Sequence, residues 1–201
     1  DEAGFHDVQI MASNDVDEEF ILHLKLQGAK IDAWGIGTKL ITAYDSPALG
    51  GVYKLVAREK EGTFLPVIKL SEDAEKITTP GLKRLYRIIN TKTNKSEGDY
   101  IAFEDEIVDD RPLKMFDPIF PHKYKYVYDY DAVELLQPIF KEGELVYDLP
   151  SIEEIRAYHE QQLSYIWEET LRLLNPQKYF VDLSPKVWDA KQKLIMKYSK
   201  K

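Results

Sequence analysis

Two short apolar runs, each ending in a loop of small or polar residues and separated by one amphipathic segment, constrain this chain more than any other feature. Val8 to Ala12 suits a buried strand, and Ser13-Asn14-Asp15 follows as turn and cap chemistry. Asp15 with Glu18 three residues on has the form of a capping box. Val16, Phe20, Ile21 and Leu24 then share one helical face, and Gly28 ends the segment. Ile31 to Trp34 form the next strand and run directly into Gly35-Ile36-Gly37-Thr38. A strand-helix-strand unit of this kind crosses over right-handed and places its strands parallel. Both strand C-termini, Ser13-Asn14-Asp15 and Gly35 to Thr38, then leave the same edge, where such folds bind ligands.

The pattern changes after this unit. Val52 to Ala57 and Phe64 to Leu70 flank a Glu61-Gly62-Thr63 turn, as an antiparallel hairpin would. Pro80-Gly81 turns into a second pair, Leu85 to Ile89 with Tyr100 to Phe103, across a polar, mobile loop from Asn90 to Asp99. Asp109-Asp110-Arg111-Pro112 reads as a linker, and Tyr124, Tyr126 and Tyr128 alternate as in a strand of a last small sheet. Ser151 and Glu154 make a capping box opening a helix from about Ile152 to Leu174, which stops before Asn175-Pro176. Ser184-Pro185 starts the terminal helix. The expected division is 1–110, the α/β unit with its loops and hairpins, and 111–201, a β and helical extension.

Charge and composition remove several classes of function. With 35 acidic against 27 basic residues the net charge is -8, which disfavours nucleic acid and anionic membranes, since both need a basic face. A phosphate can still bind locally, because a few backbone N–H groups attract an anion whatever the overall charge. The chain has no cysteine, so disulfides, thiolate zinc sites and a cysteine nucleophile are excluded, which fits a reducing cytoplasm. No apolar run is long enough to span a bilayer. Asp1 to Phe5, with Gly4 as its left-handed residue, resembles a helix end and reads as a cut through a longer chain.

Gly35, Gly37 and Thr38 are the best candidates for chemistry. Glycines let the backbone approach a phosphate closely, successive N–H groups can point at its oxygens, and Thr38 adds a hydroxyl. Ser13 and Asn14, at the other loop, offer a second arm. Asp15 either caps its own helix or faces a sugar hydroxyl or a metal-bound oxygen, and with Asp17, Glu18 and Glu19 it would repel a phosphate. His6, His23, His122 and His159 show no metal-ligand spacing and read as surface or structural residues. Lys54 and Arg87 read as solvent-facing strand charges, with contact to phosphate or a second subunit as the alternative.

Ile10-Met11-Ala12-Ser13-Asn14-Asp15-Val16-Asp17-Glu18 and Ala33-Trp34-Gly35-Ile36-Gly37-Thr38 resemble signatures of the nicotinate phosphoribosyltransferases. Similar stretches follow in order: Ala48 to Val56, Thr79-Pro80-Gly81, Ser96 to Tyr100 and Asn175 to Trp188. The resemblance implies the C-terminal part of an irregular (β/α) barrel of the type II phosphoribosyltransferase kind, with added antiparallel hairpins and C-terminal helices. It implies an enzyme that joins nicotinate to phosphoribosyl pyrophosphate, with Mg2+ and with ATP hydrolysis through a phosphohistidine, usually as a homodimer. By the same resemblance Ser13, Asn14, Gly35, Gly37 and Thr38 hold the 5'-phosphate. The family's phosphorylated histidine and its Gly-x-Arg-x-Asp-Ser-Gly-Asp segment find no match in these residues. That implies a piece inactive without the N-terminal part of the same enzyme; the competing reading is a non-catalytic phosphate-binding or assembly module.

Overall fold

Parallel pairing organises the start of the chain. The structure, a computed structural model, describes residues 4, 6–73 and 76–199. It divides into two compact units, Asp1–Tyr53 and Lys54–Lys201. Of the helix end expected over Asp1 to Phe5, only Gly4 lies within the described residues, and its φ of 79° is the left-handed conformation expected there.

In the first unit β1 (Met11–Ser13) is followed by α1 (Glu18–Leu26), β2 (Ala33–Gly35) and the single turn α2 (Thr38–Ile41). β1 and β2 are parallel, with Met11 opposite Ala33, Ala12 opposite Trp34 and Ser13 opposite Gly35. The strands lie slightly later than the apolar runs suggest. Asp32 Oδ2 accepts the Ile10 N–H at 2.8 Å while Ile10 O accepts the backbone amides of Asp32 and Ala33, so just before Met11 a side chain supplies half of the pairing.

The capping box expected from Asp15 and Glu18 does not form. Asn14 and Asp15 are left-handed, with φ of 86° and 40°, whereas a helix cap needs extended backbone. Asp17 has that conformation, φ -130° and ψ 177°, and its carboxylate accepts the Phe20 N–H at 2.8 Å. Val16, just before α1, is buried, while Ile21 and Leu24 are half-buried and Phe20 is exposed. At the other end Gly28 turns left-handed and the Ala29 N–H returns to Leu24 O, closing the helix as expected.

The second unit opens with the hairpin of β3 (Ala57–Lys60) and β4 (Thr63–Pro66). Its two turn residues, Glu61 and Gly62, both have positive φ, the geometry that matches strand twist. The main sheet comes next, with β5 (Lys83–Asn90) antiparallel to β6 (Lys95–Phe103). β7 (Leu113–Phe116) pairs with β8 (Tyr124–Val127), then β9 (Tyr130–Glu134) joins the free edge of β5. A small hairpin of β10 (Phe140–Lys141) and β11 (Glu144–Leu145) precedes α3 (Ile152–Tyr165). β12 (Val181–Leu183) then adds parallel to β6 and leads into α4 (Pro185–Tyr198), giving a sheet of order β12-β6-β5-β9. The architecture is mixed α/β, and this one sheet draws strands from both sides of residue 110.

Tyr100, Ala102, Ile88, Leu113, Met115, Val127 and Tyr130 form the core of this unit. The Asp109-to-Pro112 stretch is tied to it: Arg111 donates to Tyr130 O at 3.0 Å and lies over that ring, and Tyr130 Oη donates to Asp110 O. Tyr124, Tyr126 and Tyr128 are all exposed. The Ser151–Glu154 capping box is complete, and Ser184 caps α4 with Pro185 at its first turn. α3 is shorter than expected. It ends at Tyr165 because Ile166 is extended and Lys95 Nζ takes the carbonyls of Ser164 and Ile166, at 2.8 and 3.1 Å.

Candidate functional site

Because Ser13 and Gly35 are register partners, the loops that follow them leave adjacent strands at one edge, as the sequence implies. The approach is tight. A Cβ on Gly35 would lie 3.0 Å from Ser13 Oγ and 3.2 Å from Ser13 Cβ, so glycine is what lets Ser13 sit beside the second loop. Gly37, by contrast, faces nothing within 4 Å, leaving its backbone open to approach from outside. It caps α2, where the amides of Leu40 and Ile41 both return to Gly37 O. The Thr38 and Lys39 N–H groups, at the first positions of that turn, have no acceptor within it. Ser13, Asn14, Gly35, Gly37 and Thr38 are thus drawn into one rim, with Asp15 exposed beside them.

The rim is also less acidic than its sequence. Lys39 Nζ donates to Asp17 Oδ2 at 2.5 Å, and this contact, followed by the Phe20 N–H, holds the Asp17 carboxyl below its ordinary value. Lys39 is the residue that reading the loop alone misses. The signal was present as spacing, since Ile10 with Asp32 and Asp17 with Lys39 are each 22 residues apart, the offset that also pairs Ser13 with Gly35.

The Asn90-to-Asp99 loop is mostly strand. β6 starts at Lys95, Ser96 and Asp99 are buried, and a bulge lets Ile88 face Gly98 and Ile89 face Ser96. Gly98 has φ 126°, and a Cβ there would meet Phe180 O at 3.1 Å and Met115 Cε at 3.3 Å. Ser96-Glu97-Gly98-Asp99 is therefore a framework, not a mobile loop. Asp99 accepts from Arg87 Nε at 3.0 Å and from Tyr179 Oη at 2.8 Å, and Tyr179 Oη also meets Ser96 Oγ at 2.7 Å.

Arg87 does not face solvent as expected. Its side chain is 16% exposed and also donates to Gln162 at 2.8 Å on α3. Burial opposes its charge, but Asp99 outweighs that and raises its pKa. Lys54 lies outside the strands and donates to Lys76 O at 3.4 Å. His6 and His23 lie in the first unit and His122 and His159 in the second, and each of the four is exposed. No group of three or more His, Asp or Glu side chains among the described residues could hold a metal ion. No helix among them is long and apolar enough to cross a membrane.

The family model described as the nicotinate phosphoribosyltransferase C-terminal domain matches residues 82–191. The nicotinate phosphoribosyltransferase of Bacillus subtilis (strain 168) is 51% identical over 196 residues, which is 97% of this chain and 40% of that protein. That of Dictyostelium discoideum is 35% identical over 195 residues, 92% of this chain and 32% of its own length. The crystal structure of human nicotinic acid phosphoribosyltransferase superimposes with a TM-score of 0.66 at 27% identity, over 96% of this chain and 33% of that one. The chain therefore spans 32% to 40% of the length of these relatives. Family model, sequence and fold agree, and the chain belongs to the nicotinate phosphoribosyltransferase family, as its C-terminal portion.

Proposed function

We propose that this chain is the part of a nicotinate phosphoribosyltransferase that grips the 5'-phosphate of phosphoribosyl pyrophosphate and of the product, nicotinate mononucleotide. The observation carrying this reading is the register of β1 and β2, which sets Ser13 against Gly35 and brings both loops to one edge. Amides of Gly37, Thr38 and Lys39, with the Ser13 and Thr38 hydroxyls and Asn14, surround the anion. Fixing that end of the substrate orients the ribose for transfer at its anomeric carbon. Asp15 faces a ribose hydroxyl or a metal-bound oxygen. β1, α1 and β2 belong to the closing part of an irregular barrel.

ATP hydrolysis and the phosphohistidine belong to the remainder of the enzyme, which acts in the cytoplasm as a homodimer. Exposed apolar side chains such as Met11, Ile41 and Leu49 support a fit against that remainder. Asp17 is engaged by Lys39, and no group of three or more candidate ligands lies together among the described residues, so these residues do not make a magnesium site and the metal enters held by the substrate's own phosphates.

Gly37→Val in the intact enzyme tests the reading. A side chain there meets nothing in the fold, so its effect falls on whatever approaches the backbone. The Michaelis constant for phosphoribosyl pyrophosphate should rise by about ten-fold or more, with the constant for nicotinate little changed. Unaltered kinetics would remove the loop from the site.

A further inference from the structure

β12 carries a carboxylate for which the grip on phosphate has no use. Asp182 is 5% exposed, and only burial and the charges of Lys125 and Asp117, with no hydrogen bond, act on its carboxyl. It lines a cleft of about 290 Å³ whose walls are Met115, Phe116, Tyr124 and Phe180. Its oxygens reach the open cleft, and a carboxylate so placed carries its charge at a cost that a cation entering the cleft would offset.

The neighbouring charges do not supply one. Lys125 Nζ, on β8, is committed to Glu97, at 2.8 Å to the carbonyl and 2.5 Å to Oε2. Lys123 Nζ lies over the Phe120 ring at 4.9 Å. Asp117, the other acid of the cleft, receives the Ile119 and Phe120 N–H groups on one oxygen, at 2.8 and 3.0 Å. Burial pushes the Asp182 pKa up to about 6, Lys125 draws it down and Asp117 raises it, and no counter-ion touches the group.

Two carboxylates and three aromatic rings line the cleft, and Lys114 Nζ already lies over two of those rings, Phe116 at 5.8 Å and Tyr124 at 4.7 Å, so an unpaired acid beside them is the chemistry that recognises a cation with an apolar body. We propose that this cleft binds a small organic cation, a primary ammonium or amidinium group on a ring-sized apolar body, with Asp182 as its counter-ion. The ammonium pairs with Asp182 and the body lies between Tyr124 and Phe180.

Amide NMR of the full 201-residue chain, titrated with benzylamine near neutral pH, tests this directly. Saturating shifts should cluster at residues 180–183, 115–117 and 124–125, with benzyl alcohol binding about ten-fold or more weakly and benzoate not at all. Asp182→Asn should weaken benzylamine by about ten-fold, and Phe180→Ala, at an exposed position, should weaken it while leaving the fold intact. Shifts that do not saturate, equal binding of the alcohol, or benzylamine affinity unchanged in either variant would overturn the proposal.

Discussion

Gly35 and Gly37 stand two residues apart and answer to different constraints. A side chain at Gly35 collides with Ser13 and pushes the loops apart from within, whereas one at Gly37 projects into open space. Gly35→Ala should therefore displace the Ser13 resonance in an amide spectrum before any ligand is added, and Gly37→Ala should not. Identical ligand-free spectra for both variants would contradict the close approach. Asp182 gives a second expectation at this scale. Its folded pKa lies above the ordinary carboxyl value, so the stability its proton contributes is complete below about pH 4 and is lost as pH rises through about 6. Asp182→Asn has no such proton to lose, and across that window it should gain roughly 2–3 kcal/mol on the parent in urea unfolding. Parallel stability curves for the two proteins would show that the carboxyl is not desolvated.

Among the elements, the framework around β6 couples sheet, helix and loop through one pair. Arg87 and Asp99, 16% and 10% exposed, link β5 to β6 and, through Gln162 and Tyr179, to α3 and the segment before β12. Asp99→Ala leaves a nearly buried guanidinium unpaired and should cost on the order of 3 kcal/mol by denaturant unfolding, well above the cost of Asp99→Asn, which keeps an acceptor. Equal losses would mean that charge matters little there. Sequence patterning failed at this place for a physical reason. Ser96, Glu97, Gly98 and Asp99 are turn-like in composition, and only the bulge, with Tyr179 and Arg87 supplying hydrogen bonds from distant sequence, makes a strand of them. Local chemistry was legible where it acts alone: the Glu61-Gly62 turn, the Ser151 capping box, Gly28 and the Ser184-Pro185 start. The α1 cap was misread because Asp15 and Asp17 are both credible caps by type, and only the left-handed backbone at Asn14 and Asp15 decides between them.

At the level of the whole molecule, the rim was legible because a parallel strand-helix-strand unit leaves little freedom in where its loops emerge. The Lys39–Asp17 contact follows from the 22-residue offset only once Ser13 is known to pair with Gly35, and apolar patterning fixes that register only to within a residue or two. The buried carboxylate of Asp182 was equally hidden, lying in a three-residue strand with no periodicity of its own. Proposed as part of a larger enzyme, this chain should form no nicotinate mononucleotide when supplied with nicotinate, phosphoribosyl pyrophosphate, ATP and Mg2+, and turnover by the purified chain would refute that division of labour. The most direct measurement is an amide NMR titration of the chain with ribose 5-phosphate. A phosphate grip built from the paired loops predicts saturable shifts confined to residues 13–15 and 35–39, abolished by Gly37→Val. Shifts absent from those amides, or centred elsewhere on the molecule, would contradict it.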